Sequence, residues 1–110
     1  FRDDGRQFTP TAFGVTADGQ PAGFVQLADC SFTHDEPYLF RLLIDRWHQR
    51  RGIGREVLRL VAEHTRAAGH RTLMVSYGSG PGSPGPLYLG FGFVPTGEIV
   101  AGESVARLTL

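Results

Sequence analysis

The stretch from Tyr38 to Gly69 constrains the fold of this chain more than any other part of its sequence. It reads YLFRLLID, then RWHQRRGIGR, then EVLRLVAEHTRAAG, which is typical of a buried strand, a turn rich in Arg and Gly, and a long amphipathic helix. A helix that begins at closely spaced glycines has first-turn backbone N–H groups with no partner inside the helix. Because the helix dipole makes that end attractive to anions, we predict a pyrophosphate-binding turn here.

The distribution of charge supports an anion site at this turn rather than a basic protein surface. All 11 basic residues are arginine, and five of them surround the turn: Arg46, Arg50, Arg51, Arg55 and Arg59. The formal net charge is zero, so there is no general attraction to nucleic acid or to a membrane. The single Cys30 and the scattered histidines have no familiar metal-ligand spacing, so we expect no metal site and a reducing, cytoplasmic setting.

The remaining segments predict one small domain with a mixed sheet. At 110 residues the chain is long enough for a single core. Asp18–Gly19 between two β-prone runs predicts a hairpin, and a strand over Thr72–Tyr77 should lie parallel to the strand that begins at Tyr38. Residues 87–93 are expected to form one helical turn at most before a strand around Phe93 and Val94, and residues 104–110 a final strand.

Alternation and helical periodicity predict which side chains share a face. In the strand that begins at Tyr38 they predict two sets: Tyr38, Phe40, Leu42 and Ile44 on one face, and Leu39, Arg41, Leu43 and Asp45 on the other. The helix is expected over about residues 52–68, with an apolar stripe of Ile53, Val57, Leu60, Val61, His64 and Ala68.

Two motifs in this order resemble those of the GNAT N-acetyltransferase superfamily. QRRGIG at 49–54 is similar to the family's acetyl-CoA loop, and GSPGPLYLGFGF at 82–93 is similar to its Tyr-x-x-x-Gly-Phe segment, with Tyr88, Gly92 and Phe93 in register. The resemblance implies an α/β (α+β) fold: a mixed sheet with a β-hairpin, a parallel strand–helix–strand crossover and a long amphipathic helix. We expect one such domain over residues 1–110, without the strand and helices with which the family fold usually starts.

The resemblance also implies a site for acetyl-CoA. The backbone of Leu42, Leu43 and Ile44 is expected to polarise the acetyl carbonyl and to pair with the pantetheine arm. The pyrophosphate is expected to bind the turn residues Gln49, Arg50, Arg51, Gly52, Ile53, Gly54 and Arg55. Tyr88 is the expected general acid for the leaving thiolate, because a phenol stays protonated at neutral pH; packing alone, or a hydrogen bond to the cofactor, is the alternative.

The general base and the acceptor are less constrained. His34, Asp35, Glu36 and His48 are candidates, with Arg41 the least favoured, and Glu36, just before the central strand, is preferred as a base acting through a water. The acceptor is expected to be a primary amine of a small molecule or peptide, and a non-catalytic acyl-CoA-binding module is the alternative function. The final strand can complete its own sheet or a neighbour's, which leaves a homodimer open.

Overall fold

The structure is a computed structural model that describes residues 11–28, 35–45, 49 and 52–110. It contains six strands and two helices within these ranges. In chain order they are β1 (Thr11–Ala17), β2 (Gln20–Ala28), β3 (Tyr38–Ile44), α1 (Ile53–Ala67), β4 (Thr72–Tyr77), α2 (Gly85–Phe91), β5 (Val94–Val100) and β6 (Glu103–Thr109).

The strands form one mixed sheet in the order β1-β2-β3-β4-β6-β5. β1 and β2 are an antiparallel hairpin that turns at Asp18 and Gly19, both with positive φ, as a two-residue turn of this kind requires. β3 and β4 are parallel and are joined through α1, so the predicted crossover is confirmed. β6 pairs with β4 and β5 of its own chain.

Both helices pack on the same side of the sheet, which we call the helix face. The main core lies there and includes Leu39, Leu58, Val75 and Tyr88. We call the other side the open face; it carries a small cluster of Tyr38, Met74 and Val105. No described helix covers the open face.

A β-bulge in β3 changes the predicted faces. Gln26 pairs with Arg41 and Leu27 pairs with Leu39, so Phe40 is an extra residue in β3. The Phe40 ring lies 5.1 Å from that of Tyr38 on the open face, whereas Leu42 and Ile44 pack with the helix-face core. The prediction that Leu42 and Ile44 share the face of Tyr38 was wrong, because alternation cannot be counted through a bulge.

The two helices also differ in detail from the sequence prediction. The buried residues of α1 are Val57, Leu58, Val61 and Thr65, whereas Leu60 is 50% exposed. The buried stripe is therefore rotated away from Leu60 and His64, which line an open groove beside β1. α2 has seven residues, longer than the single turn predicted, and Pro86 lies in its first turn, where a missing N–H is tolerated.

None of the helices described is both long and apolar enough to cross a bilayer.

Candidate functional site

The central feature of the site is a split between the two parallel strands. β3 and β4 pair only at Tyr38 with Met74 and at Leu39 with Val75. After these pairs the strands separate, although β3 stays paired with β2 as far as Ile44. On the β4-facing edge, the backbone of Leu42 and Ile44 therefore has groups that no strand of the described sheet satisfies, whereas the Leu43 carbonyl between them is directed to Gly23 of β2. Such an edge can accept an extended ligand as if it were another strand.

The turn after β3 leads to the N-terminus of α1. Gly52 precedes the helix in a left-handed conformation (φ 76°, ψ 6°), and no side chain of the described residues caps the helix. The N–H of Glu56 donates to the Gly52 carbonyl at 3.1 Å, so the N–H groups before Glu56 precede the helix's own hydrogen-bond ladder. Gln49 donates from Nε2 to the Ile44 carbonyl at 3.0 Å, which fixes the end of β3 against the turn.

The arginines of this region that the structure describes have partners of their own. Arg55 donates to the Gly90 carbonyl at 3.4 Å and lies 5.5 Å from the centre of the Phe91 ring, so it connects α1 to α2. Arg59 forms salt bridges with Glu56 and Glu63 along α1. Arg50 and Arg51, predicted to bind the pyrophosphate, lie outside the described residues, as does Arg46.

Tyr88 lies on α2, with its ring in the helix-face core. The ring is 5.9 Å from that of Tyr77 at the end of β4 and 5.6 Å from that of Phe93. Only 3% of Tyr88 is exposed. Burial raises the pKa of its phenol to about 12, and the negative charge of Glu103 contributes to the rise. The phenol is therefore protonated at neutral pH, which suits the predicted general acid. Its burial and ring contacts suit the alternative, a packing role, equally well.

Glu36 lies at the other end of the split strands. Its carboxylate accepts two hydrogen bonds from Arg107, at 2.9 and 3.1 Å, and one from the Thr72 hydroxyl at 2.5 Å. Thr72 and Tyr77 are the two ends of β4, ~16 Å apart at the usual rise of a strand. Glu36 is thus far from the Tyr77–Tyr88 pair, and its contacts favour a structural role; its role as a base stays a prediction.

A second carboxylate, that of Glu103, lies closer to the split and was not among the residues predicted from the sequence. Ser76 is the first residue of β4 after the last β3–β4 pair, and its hydroxyl donates to Glu103 at 2.9 Å. Burial raises the pKa of the neighbouring Tyr38 phenol, and the Ser76 hydroxyl partly opposes the rise. No local pattern marks Glu103, because its contact with Ser76 spans 27 positions. Of the other candidate bases, His34 and His48 lie outside the described residues, and Asp35 is exposed.

Within the ranges described, no group of His, Cys, Asp and Glu side chains could hold a metal ion.

The family model described as "Acetyltransferase (GNAT) family" matches residues 1–80. No curated protein sequence matches the chain significantly.

Solved structures of acetyltransferases share the fold. An acetyltransferase from Thermus thermophilus is 25% identical with a TM-score of 0.76, and covers 92% of this chain and 64% of its own. PaiA N-acetyltransferase from Thermoplasma acidophilum, in complex with coenzyme A, is 19% identical with a TM-score of 0.75; the coverage is 92% of this chain and 61% of that one. A GNAT acetyltransferase from Elizabethkingia anophelis with acetyl-CoA bound is 18% identical with a TM-score of 0.71, over 92% of this chain and 76% of its own. This chain thus spans about three fifths of the length of the first two proteins.

Proposed function

This chain belongs to the acetyltransferase (GNAT) family, and from that premise we propose that it transfers an acetyl group from acetyl-CoA directly to a primary amine. The observation that carries the proposal is the split between β3 and β4, which opens beside the N-terminus of α1. The split offers backbone groups for the pantetheine arm, and the helix N-terminus offers N–H groups for the pyrophosphate. Both features belong to one continuous segment, β3–turn–α1.

In this proposal the cofactor is held mainly by main-chain atoms. The edge of Leu42, Leu43 and Ile44 pairs with the pantetheine amides and polarises the thioester carbonyl. The turn from Gln49 to Arg55 takes the pyrophosphate, with Gly52 providing the left-handed conformation that aims the following N–H groups outward. A charge-assisted hydrogen bond of this type contributes roughly 1.5–3 kcal/mol, so several together give useful affinity.

Proton transfer to the leaving thiolate is assigned to Tyr88. Its raised pKa keeps the phenol protonated at neutral pH, so that a proton is available when the thiolate leaves. The amine attacks the carbonyl carbon, the C–S bond breaks, and the phenolic proton passes to sulfur. In this proposal no acyl-enzyme forms, and the Cys30 thiol takes no part in the reaction.

Two measurements test this function. Titration calorimetry with acetyl-CoA reports binding, and mass spectrometry of a panel of amines (polyamine, aminoglycoside, amino acid and peptide N-terminus) reports acetylation. We expect binding together with a product from at least one class. Product detection is preferable to a thiol reagent, since Cys30 adds a thiol of its own. Absence of calorimetric binding contradicts the assignment of the cofactor site.

A non-catalytic acyl-CoA-binding module is the second candidate. It is favoured by the packing of Tyr88, the proposed acid, which is almost fully buried and lies against Tyr77 and Phe93 as a core residue does. It predicts acetyl-CoA binding without product from any amine, and a Tyr88→Phe variant that behaves like the wild type in every assay.

A further inference from the structure

The open face carries a hydrogen-bonded group of side chains at the split. Ser76 donates to Glu103 at 2.9 Å, and the Tyr38 phenol lies close enough to Ser76 for the hydroxyl to lower its pKa against the effect of burial. Tyr38 is only 5% exposed, so its side chain is held in place by packing beside Ser76. Glu103, by contrast, is exposed to solvent. A carboxylate that is oriented from one side and open on the other can receive a proton from an incoming molecule.

The position of this group suits the second substrate rather than the cofactor. α1, whose N-terminus is the proposed pyrophosphate site, lies on the helix face. Ser76 pairs with Val105, which belongs to the open-face cluster. A cofactor that enters the split from α1 therefore presents its thioester toward the open face, and a nucleophile for direct transfer must approach from that side. Glu103 lies on this face next to Ser76, and so beside the approach of the nucleophile.

We propose that Glu103, positioned by Ser76, is the group that takes the proton from the acceptor amine. This role rests on the proposed acetyl transfer. The acceptor arrives as an ammonium ion and gives one proton to the Glu103 carboxylate, which later passes it to solvent. The free amine forms the C–N bond, the C–S bond breaks, and sulfur takes a proton from Tyr88. After the C–N bond has formed, the nitrogen gives up a second proton, which returns to Tyr88 and restores its phenol. The products are the amide, the thiol of coenzyme A and one proton released to solvent.

The surroundings of Glu103 agree with this role. Its negative charge contributes to the raised pKa of Tyr38, on the open face, and of Tyr88, in the helix-face core. Its electrostatic effect therefore extends to both faces of the sheet. Among the described residues, Glu98 on β5 is the other charged group that affects the pKa of Tyr38, and it has no such effect on Tyr88. Glu36, by contrast, is held by Arg107 and Thr72 at the other end of β4. Glu103 is therefore the described carboxylate that acts electrostatically on the proposed acid.

The test compares Glu103→Gln with Glu98→Gln in the 110-residue chain, using an amine that the wild type acetylates. Glu98→Gln is the matched control, because it removes the same charge from the same hairpin. At pH 7 we expect Glu103→Gln to lower kcat/KM by about 100-fold, and Glu98→Gln by less than about threefold. The defect of Glu103→Gln should shrink below about tenfold near pH 9.5, where more of the amine is already neutral. Acetyl-CoA affinity should be unchanged in both variants.

A second measurement needs no turnover. Ultraviolet titration follows ionisation of the chain's three tyrosines, and Glu103→Gln should lower the pH at which the last one ionises. An unchanged titration, a defect of equal size at every pH, or an equal loss in Glu98→Gln overturns the role of Glu103. So does an active wild type with an equally active Glu103→Gln, which leaves the proposed function intact. A wild type that binds acetyl-CoA yet acetylates no amine overturns both.

Discussion

Arg107 and Glu36, 71 positions apart in the sequence, form a bidentate ion pair: the guanidinium Nε and Nη2 donate to the two carboxylate oxygens at 3.1 and 2.9 Å. The Glu36 carboxylate also raises the pKa of Arg107. The pair joins the segment before β3 to β6, and the Thr72 hydroxyl adds a contact from β4 between them. The Glu36 carboxylate therefore has three hydrogen-bond donors of the protein around it, which hold it in place.

We therefore expect Glu36→Gln to affect stability more than turnover. The loss of a partly exposed ion pair should lower the free energy of unfolding by about 1 kcal/mol, while kcat/KM stays within about threefold of the wild type. Urea unfolding and amine acetylation measure the two quantities. Glu63→Gln, which removes one partner of an exposed pair on α1, is the control and should lower the free energy of unfolding less than Glu36→Gln does. A 100-fold loss of turnover in a stable Glu36→Gln chain would instead identify Glu36 as the base.

Tyr88→Phe should separate catalysis from binding. The phenylalanine keeps the ring packed against Tyr77 and Phe93 but has no proton to give. We expect kcat to fall by about 100-fold, with acetyl-CoA affinity unchanged by calorimetry. Phe91→Tyr, on the same helix, restores the number of phenols and is not expected to restore kcat when combined with Tyr88→Phe. Unchanged kcat in Tyr88→Phe would leave this residue with a packing role alone.

The raised pKa of Tyr88 also predicts how stability depends on alkaline pH. The phenol ionises near pH 10 in the unfolded chain and at about 12 in the folded chain, so its contribution is complete below pH 10 and is lost as the pH rises through 12. At pH 11 the loss is about 1.4 kcal/mol, and the full loss is about 2.7 kcal/mol. Urea unfolding at pH 8 and pH 11 should show this decrease in the wild type, and a decrease smaller by that amount in Tyr88→Phe.

The parts of the fold that local patterns encode could be predicted from the sequence. The Asp18–Gly19 turn, the strand from Tyr38 and the start of α1 after Gly52 each depend on neighbouring residues, and the structure has all three. The bulge at Phe40 could not be predicted, because it arises from the register with β2. It rotates Leu42 and Ile44 onto the helix face and so changes which side chains line the split.

The candidate site also has a part that could be predicted from the sequence and a part that could not. The cofactor turn is a contiguous motif, so the sequence indicates it. The carboxylates are different: Glu36 precedes the central strand yet is held at the far end of β4, while Glu103 starts a distant strand and reaches Ser76. Which carboxylate faces the split depends on how β4 and β6 pair, and no short-range pattern in the sequence encodes that pairing.

Substitutions at Gly52 should test the turn that precedes α1. Its φ of 76° is strained for residues with a side chain, but a Cβ there would meet no atom within 4 Å. The cost is therefore conformational: about 1–2 kcal/mol for Ala, more for Val, and less for Asn, which tolerates this region best. Acetyl-CoA affinity by calorimetry should fall in the order Gly, Asn, Ala, Val if the N–H groups after Gly52 bind the pyrophosphate. Equal affinity in Val and Asn variants would contradict that contact.

Gly23 on β2 offers a test of how closely the central strands approach beside the split. A Cβ at this position would lie 1.9 Å from the Leu43 carbonyl oxygen and 3.0 Å from the Ile44 Cα, both backbone atoms of β3. Because backbone cannot move aside as a side chain can, Gly23→Ala must push β2 away from the end of β3. We expect the free energy of unfolding to fall by about 3 kcal/mol. Acetyl-CoA affinity should fall as well, since the displaced segment, residues 42–44, provides the proposed pantetheine edge.

Gly14→Ala is the matched control on the neighbouring strand. A Cβ there would meet nothing within 4 Å, and Gly14 has no positive φ. This variant should unfold within about 0.5 kcal/mol of the wild type, or slightly above it, because alanine loses less backbone entropy on folding than glycine. Urea unfolding and calorimetry on both variants separate the two effects. A Gly23→Ala chain as stable as Gly14→Ala would mean that β2 and β3 do not approach this closely, and that the edge of Leu43 and Ile44 is not held in place by β2.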